Sequence, residues 1–278
     1  MVWYARRMQY QCLPDWRAVS TLSGLADLSN PPKKLFYRGT WNPALFANCV
    51  AVIGSRRMTD YGRRAIEKIL PELVFAKKTI ISGFMYGVDQ YAHRVCIENG
   101  GKTVAVLGWG INQMLEDSDK KLAESIIDSG GLIVSEWEEQ RGTLWTFPVR
   151  NRIVAALSTD VIVVEAAEKS GSLITATIAK KLQRTLWAVP GPITSRLSYA
   201  TNMMIASGKA KMWVGQIEPV ARESRDPLIR LLQEEPLRVD DIARKLKTPI
   251  DAIGAQLSLL TLTGQLTEEG GKYYVRKN

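Results

Sequence analysis

The 278-residue sequence has few of the residues that build metal sites, disulfide frameworks and hydrolytic triads. It contains one histidine, and its three cysteines lie far apart with no CxxC pair, so neither a disulfide framework nor a zinc knuckle is expected. No apolar run reaches the roughly eighteen residues that a membrane helix needs, and the N-terminus lacks the apolar core of a signal peptide. These absences predict a cytoplasmic protein without a membrane partner, a metal or a cofactor.

Positive charge is what the sequence has in excess. There are 37 Lys and Arg against 28 Asp and Glu, which gives a formal net charge of +9. Residues 1–225 hold 29 basic and 20 acidic residues, whereas residues 226–278 hold eight of each. Nucleic acid is the commonest acidic partner of a soluble basic chain, so a nucleic-acid surface is predicted in the first 225 residues.

Short apolar segments alternate with helical patterns from residue 49 onward. The predicted strands are 50–53, 79–81, 104–107, 132–134, 161–164 and 186–189. The predicted helices are 60–75, 87–99, 120–129 and 172–182. Helices of this length permit right-handed crossovers, so the pattern indicates an α/β protein with a Rossmann-like, doubly wound and mostly parallel sheet.

The residues that follow the strands are the candidates for function, because ligands of such sheets bind at the carboxyl ends of the strands. After the first strand, Gly54 permits close backbone approach and Arg56 can clamp phosphate oxygens. After the fifth, Ser170 to Ser172 open a helix whose free N–H groups favour an anion. The predicted DNA- or phosphate-binding residues are Ser55, Arg56, Arg57, Ser82, Gly83, Arg150, Asn151, Arg152, Gly171 and Ser172, supported by Glu165 and Ser170.

Two of these arginines are expected to act at one shared site. Arg56 follows the first strand and Arg152 follows the fourth, and the two strands are predicted to be neighbours at the switch point of the sheet. Arg150 and Arg152 flank Asn151 at the expected start of a short helix. A solvated helix face is the alternative interpretation of that pair.

Other polar residues leave two interpretations open. Glu165 serves either as a catalytic base or as a holder of loop N–H groups or a nucleobase. Asp89 is either a helix cap or a ligand group. The lone His93 falls within a predicted helix, where a packing or hydrogen-bonding role is favoured over general-base work. Neither a GxGxxG turn nor a complete P-loop is present.

The two ends of the chain have different patterns. Residues 1–48 are predicted to be an N-terminal extension whose aromatic residues either pack on the main domain, residues 49–215, or stack on bases. A linker is predicted at 216–225. Residues 226–278 show three helices, at 227–233, 239–245 and 249–262, and then a hairpin, which is the pattern of a winged helix. The third helix has no Lys or Arg, so a protein contact or a packing role is favoured over DNA binding.

Six motifs, taken in order, resemble the DNA-processing protein A family. They are VAVIGSRRMTDYG (50–62), SGFMYGVDQYAH (82–93), TVAVLGWGIN (103–112), FPVRNRIVAALS (147–158), VVEAAEKSGSLITA (163–176) and AVPGP (188–192). The resemblance implies a Rossmann-like domain that binds single-stranded DNA as a homodimer and helps to load a RecA-type recombinase during natural transformation or DNA recombination. It implies no catalysis.

The resemblance also implies roles for individual residues. Arg56, Arg150 and Arg152 would contact phosphates, and the pocket would be shaped by Ser55, Ser82, Gly83, Gly171 and Ser172. The second motif departs from the family pattern, because Phe84, Met85 and Tyr86 stand where small and basic residues are usual. Stacking would there replace one phosphate contact.

Two further functions compete with this one. A nucleotide-binding or nucleoside-monophosphate-processing enzyme of a related fold could use Glu165, although the PGGxGT turn of such enzymes is missing. A scaffold that acts through the winged helix would leave the positive charge unexplained.

Overall fold

The computed structural model describes residues 9–215, 227–262 and 266–275. The chain divides into two compact units, residues 1–216 and residues 217–278, and each has its own hydrophobic core. The predicted linker, 216–225, lies outside the described residues.

The described residues of the first unit, 9–215, are built on a sheet of nine strands. They are β1 (Gln11–Leu13), β2 (Leu35–Arg38), β3 (Cys49–Ile53), β4 (Thr79–Ser82), β5 (Thr103–Val106), β6 (Leu132–Ser135), β7 (Asp160–Val163), β8 (Thr185–Ala188) and β9 (Lys211–Met212). Within residues 9–215 the α-helices are α1 (Asp60–Phe75), α2 (Val88–Glu98), α3 (Asp117–Asp128), α4 (Thr146–Ala156), α5 (Ser172–Lys181) and α6 (Tyr199–Ala206). All hydrogen-bonded pairs among the strands β3 to β9 are parallel. The central strands are buried on both faces, which explains their runs of Val and Ile. The Rossmann-like fold is confirmed.

The strand order is β1-β2-β6-β5-β4-β3-β7-β8-β9. The chain leaves β3 through β4, β5 and β6 on one side and then returns to β7, β8 and β9 on the other, so the switch point lies between β3 and β7. The prediction that the first and fourth strands are neighbours is therefore wrong. The first predicted strand is β3 and the fourth is β6, and β4 and β5 separate them.

Residues 9–48 belong to the same sheet and core. β1 and β2 add two antiparallel strands beyond β6. Trp16 is 1% exposed and its indole N–H donates to the Pro32 carbonyl over 2.7 Å, while Phe36 and Tyr37 are also buried. Packing is confirmed for these three aromatic residues, which are not available for stacking on bases. Trp3 and Tyr4, which were also candidates for stacking, lie outside the described residues.

The described residues of the second unit, 227–262 and 266–275, form three helices and a hairpin. They are α7 (Pro227–Glu234), α8 (Val239–Leu246), α9 (Ile250–Leu262), β10 (Leu266–Glu269) and β11 (Lys272–Val275), and the two strands pair antiparallel. Leu228, Leu232, Ile242 and Leu257 form the centre of its core. The winged-helix domain is confirmed.

Candidate nucleic-acid interface

A cleft of about 750 Å³ opens at the carboxyl ends of β3, β4 and β7. The turn after β3, the loop before α2, the first two turns of α4 and the start of α5 form its walls. The polar and charged residues that line it are Ser55, Arg56, Arg57, Asp89, Arg150, Asn151, Ser170, Ser172, Thr175 and Arg196, together with Gly54, Gly83 and Gly171. Most of the predicted site residues thus meet in one place.

The turn after β3 presents two exposed arginines at the mouth of the cleft. The Arg57 backbone N–H donates to the Ser55 hydroxyl over 3.0 Å, which fixes the turn. The Arg56 guanidinium lies 5.1 Å from the centroid of the Phe147 ring, within the range of a cation–π contact. A Cβ on Gly54 would be only 2.7 Å from the Val88 side chain, so glycine is needed for the close packing of β3 on α2. Both guanidinium groups remain open to solvent and to an anionic ligand.

The floor of the cleft carries a buried cation beside a carboxylate. Arg150 is 3% exposed and donates to the Val106 carbonyl and, over 3.1 Å, to the Asn151 side-chain oxygen. Burial lowers the pKa of Arg150 to about 10 against the effect of Asp89, so the guanidinium stays charged at neutral pH. Burial raises the pKa of Asp89 to about 6, while Arg150, the Ser82 side chain and the Met85 backbone act in the opposite direction. Asp89 is therefore mainly ionised at neutral pH.

His93 holds the backbone of this floor. Its ring nitrogens lie 2.6 Å from the Thr103 hydroxyl and 2.7 Å from the Gly83 carbonyl oxygen. Burial lowers the pKa of His93 to about 4, so the ring is neutral, and its Nε2 donates to the Gly83 carbonyl, which can only accept. The predicted hydrogen-bonding role of His93 is confirmed.

The opposite wall is the N-terminus of α5. Ser170, Gly171 and Ser172 line the cleft there, and the hydroxyls of the two serines are 2.7 Å apart. The Asn151 amide reaches over 3.4 Å to the Gly171 carbonyl and so links α4 to this turn. The first N–H groups of a helix lack intrahelical partners, so together with the helix dipole they attract an anion.

Three predicted site residues do not line the cleft. Ser82 is fully buried and donates to the Val52 carbonyl over 2.6 Å, which places it beneath the floor. Glu165 is 1% exposed and accepts hydrogen bonds from the Thr59 backbone N–H, over 2.9 Å, and from the Thr59 hydroxyl. Glu165 therefore holds N–H and O–H groups at the start of α1, and the geometry gives it no contact with a ligand in the cleft.

Arg152 is the third residue that does not line the cleft. The prediction that it shares one site with Arg56 is therefore wrong. Its guanidinium forms a 2.5 Å ion pair with Glu136, and the side chains are 12% and 8% exposed. The Nε and Nη1 atoms of Arg152 and one Glu136 oxygen are buried without a partner in the described part of the chain. The pair fixes the segment after β6 to α4.

Two further groups at the cleft were missed by the sequence reasoning. Arg196 is exposed at its mouth, and its place in the segment that follows β8 is the same signal that identified the other candidates. Leu144, which is 92% exposed, lies before α4 and carries no sequence signal of its own. Tyr86, noted above as a departure from the family pattern, is 58% exposed and lines the cleft, whereas Phe84 is buried.

Fold and cleft together define a Rossmann-like protein with an arginine-lined cleft at the switch point of its sheet. The model of the DNA recombination-mediator protein A family matches residues 16–224, and the model of the DprA winged helix domain matches residues 216–272. The chain therefore belongs to the DNA recombination-mediator protein A family, whose members are called DprA or Smf.

Known relatives and solved structures agree with this family assignment. The chain is 37% identical over 193 residues to the DNA processing protein DprA of Streptococcus pneumoniae, covering 69% of this chain and 67% of the relative. It is 33% identical over 267 residues to protein Smf of Escherichia coli, covering 87% and 71%. The structure of DprA from Streptococcus pneumoniae superposes with a TM-score of 0.66 at 34% identity, covering 76% and 73% of the two chains.

A second solved relative is DNA processing protein A from Helicobacter pylori. It superposes with a TM-score of 0.64 at 30% identity and covers 73% of this chain and 90% of its own. That structure was described for the single-stranded DNA binding mode of the Helicobacter protein.

No helix in the described part of the chain has the length and apolar character to cross a membrane.

Proposed function

We propose that the cleft binds the backbone and bases of single-stranded DNA, and that the protein acts in DNA processing and recombination without catalysing a reaction. The observation that carries the proposal is the convergence of Arg56, Arg57 and Arg196 with the N-terminus of α5 at the mouth of one cleft. Such cations supply the main, salt-sensitive part of nucleic-acid affinity. The resemblance to the Helicobacter protein, described for its single-stranded DNA binding, supports it.

The shape of the site favours single strands over duplex. Tyr86 and Phe147 line a recess into which an unstacked base can enter, whereas the paired bases of a duplex are not free to do so. In the described part of the second unit, α9 is the helix that a winged helix would place in a groove, and its residues, Ile250–Leu262, include no Lys or Arg.

The affinity is therefore expected to be higher for single strands and to fall with salt. The slope of log K against log salt should be about −0.7 for each phosphate contact. Fluorescence anisotropy of a labelled oligonucleotide, single-stranded and as a duplex, at several salt concentrations measures both. Equal affinity for the duplex, or an affinity independent of salt, would contradict the proposal.

Loss of the winged helix is expected to leave DNA binding largely intact. Residues 226–278 carry no net charge, so the electrostatic part of the affinity should stay with residues 1–225. The measurement is anisotropy with the full chain and with residues 1–225, after circular dichroism has shown that the shortened protein is folded. A loss greater than about tenfold would identify the second unit as a DNA-binding module.

The finer parts of the proposal concern partners. We propose a homodimer that hands single-stranded DNA to a RecA-type recombinase, as the family resemblance implies. Sedimentation velocity tests the dimer, and the rate at which a recombinase displaces a single-strand-binding protein tests the handover.

An enzyme that processes nucleoside monophosphates is the competing function. The base that the sequence suggested for it, Glu165, does not line the cleft and is instead bound to Thr59. A nucleotide-hydrolysis assay run beside the DNA titration separates the two functions: hydrolysis without DNA binding would support the enzyme.

A further inference from the structure

The cleft has two layers of charge. Arg56, Arg57 and Arg196 are exposed at its mouth, whereas Asp89 and Arg150 lie on its floor. A phosphate at the mouth meets only cations among these groups, but a phosphate on the floor would face the Asp89 carboxylate. The floor therefore suits a neutral group that offers both hydrogen-bond donors and acceptors.

Asp89 and Arg150 reach the same point of this floor. A Cβ built on Gly83 would lie 2.2 Å from Asp89 Oδ2 and 2.6 Å from Arg150 Nη2. The absence of a side chain at Gly83 therefore keeps an acceptor and a donor side by side and open to the cleft. Because His93 binds the Gly83 carbonyl, the backbone between them is held in place.

One nitrogen of the Arg150 guanidinium is left to bind a ligand. Its Nη1 and Nε atoms donate to Val106 and Asn151, and these two bonds fix the plane of the guanidinium. No hydrogen bond from Nη2 is seen to any residue in the described ranges 9–215, 227–262 and 266–275. This nitrogen is a rigid donor for a ligand atom.

The walls above the floor carry aromatic side chains. Tyr86 and Phe147 both line the cleft, and Arg56 lies over the Phe147 ring. Aromatic side chains stack on any base, so the walls give no base preference of their own. A preference would have to come from the floor.

We propose that Asp89 and Arg150 read the Watson–Crick edge of a base of the bound strand and favour guanine. The inference rests on the proposed function. Guanine offers two adjacent N–H donors, which suit the two oxygens of a carboxylate, and beside them a carbonyl oxygen, which suits Arg150 Nη2. Thymine offers a single N–H, and adenine and cytosine place a ring acceptor next to their amino group, where it would face the carboxylate.

The first test changes only the DNA. Anisotropy competition compares an all-thymine strand with strands that carry one central guanine, inosine or deazaguanine. The guanine strand should bind about tenfold more tightly than the thymine strand, as expected for one added hydrogen bond to a charged group. Inosine lacks the amino group and should lose most of that gain, whereas deazaguanine lacks only the Hoogsteen ring nitrogen and should keep it.

The second test changes the protein. Asp89→Asn keeps the size of the side chain but removes the charged acceptor, so the ratio of the affinities for the guanine and thymine strands should fall to about one. Acidifying the wild-type protein below the Asp89 pKa of about 6 should have the same effect, since the neighbouring Arg150, with a pKa of about 10, keeps its charge there.

The outcomes separate this inference from the proposed function. Salt-dependent binding of the thymine strand with equal affinity for the guanine strand would overturn the reading of guanine and leave DNA binding standing. The proposal would also be overturned if the inosine strand bound as tightly as the guanine strand and the Asp89→Asn variant kept the guanine preference. Failure to bind any strand would overturn the proposed function itself.

Discussion

Arg56→Ala is expected to weaken binding of single-stranded DNA by about ten- to a hundredfold, the value of one hydrogen-bonded contact to a charged group. The side chain is exposed at the mouth of the cleft and lies over the Phe147 ring, so its loss removes both a phosphate contact and the cover of one wall. The fold should persist, because the arginine is not part of the core. Anisotropy gives the dissociation constant, and thermal unfolding monitored by circular dichroism confirms the fold.

Arg64→Ala is the matched control for this change. Arg64 is also exposed and lies on α1, but it does not line the cleft. Both variants lose one positive charge, so a general electrostatic effect would weaken binding equally in the two. An unchanged dissociation constant in folded Arg56→Ala, or the same loss in Arg64→Ala, would contradict the assignment of the cleft.

Arg152→Ala is expected to act on stability, with a loss of about 3–5 kcal/mol in the free energy of unfolding. The change leaves the Glu136 carboxylate buried without its cation. Burial already raises the pKa of Glu136 against the effect of Arg152, so removing the arginine raises it further. The loss of stability should therefore be largest at neutral pH and should shrink on acidification, as Glu136 becomes protonated and neutral.

Urea unfolding at two pH values measures this effect, and the double variant Arg152→Met with Glu136→Leu is the control. Replacing a buried ion pair by apolar side chains is often neutral, so the double variant should recover most of the stability. DNA affinity of the double variant should stay near that of the wild type. A stable Arg152→Ala variant with strongly weakened DNA binding would restore Arg152 to the binding site and contradict its structural role.

The contrast between Arg56 and Arg152 shows what the sequence could predict. Strand ends are readable from local patterns, and parallel strands bring their carboxyl ends to one edge, so Arg56 and the turn Ser170 to Ser172 were placed correctly in the cleft. The order of strands depends on pairing between distant segments. The sequence therefore did not predict that β4 and β5 lie between β3 and β6, and the prediction that Arg152 lies near Arg56 was wrong.

Helix geometry explains why Arg150 and Arg152 point to different places. Residues two apart on a helix point about 200° from each other, so the two side chains cannot both face the cleft. The sequence placed them at the start of a short helix, whereas α4 begins earlier, at Thr146. Arg150 faces the floor, and Arg152 faces Glu136.

Long-range partners also decided the role of Glu165. Its position after a buried strand suggested either catalysis or the support of a loop, and nothing nearby in sequence separates the two. The deciding contact is with Thr59, which is 106 residues away. In the same way β2 was not predicted, because its residues, Leu35–Arg38, become a strand only by pairing with β1 and β6.

The central claim, that single-stranded DNA lies in the cleft of the first unit, is tested most directly by photo-crosslinking. A strand that carries iodouracil is irradiated with the full-length protein, and the crosslinked peptides are mapped by mass spectrometry. The predicted crosslinks fall on Tyr86 and Phe147, the aromatic residues that line the cleft, and they disappear when an unlabelled strand competes. Crosslinks confined to residues 227–275, with none in the cleft, would contradict the account.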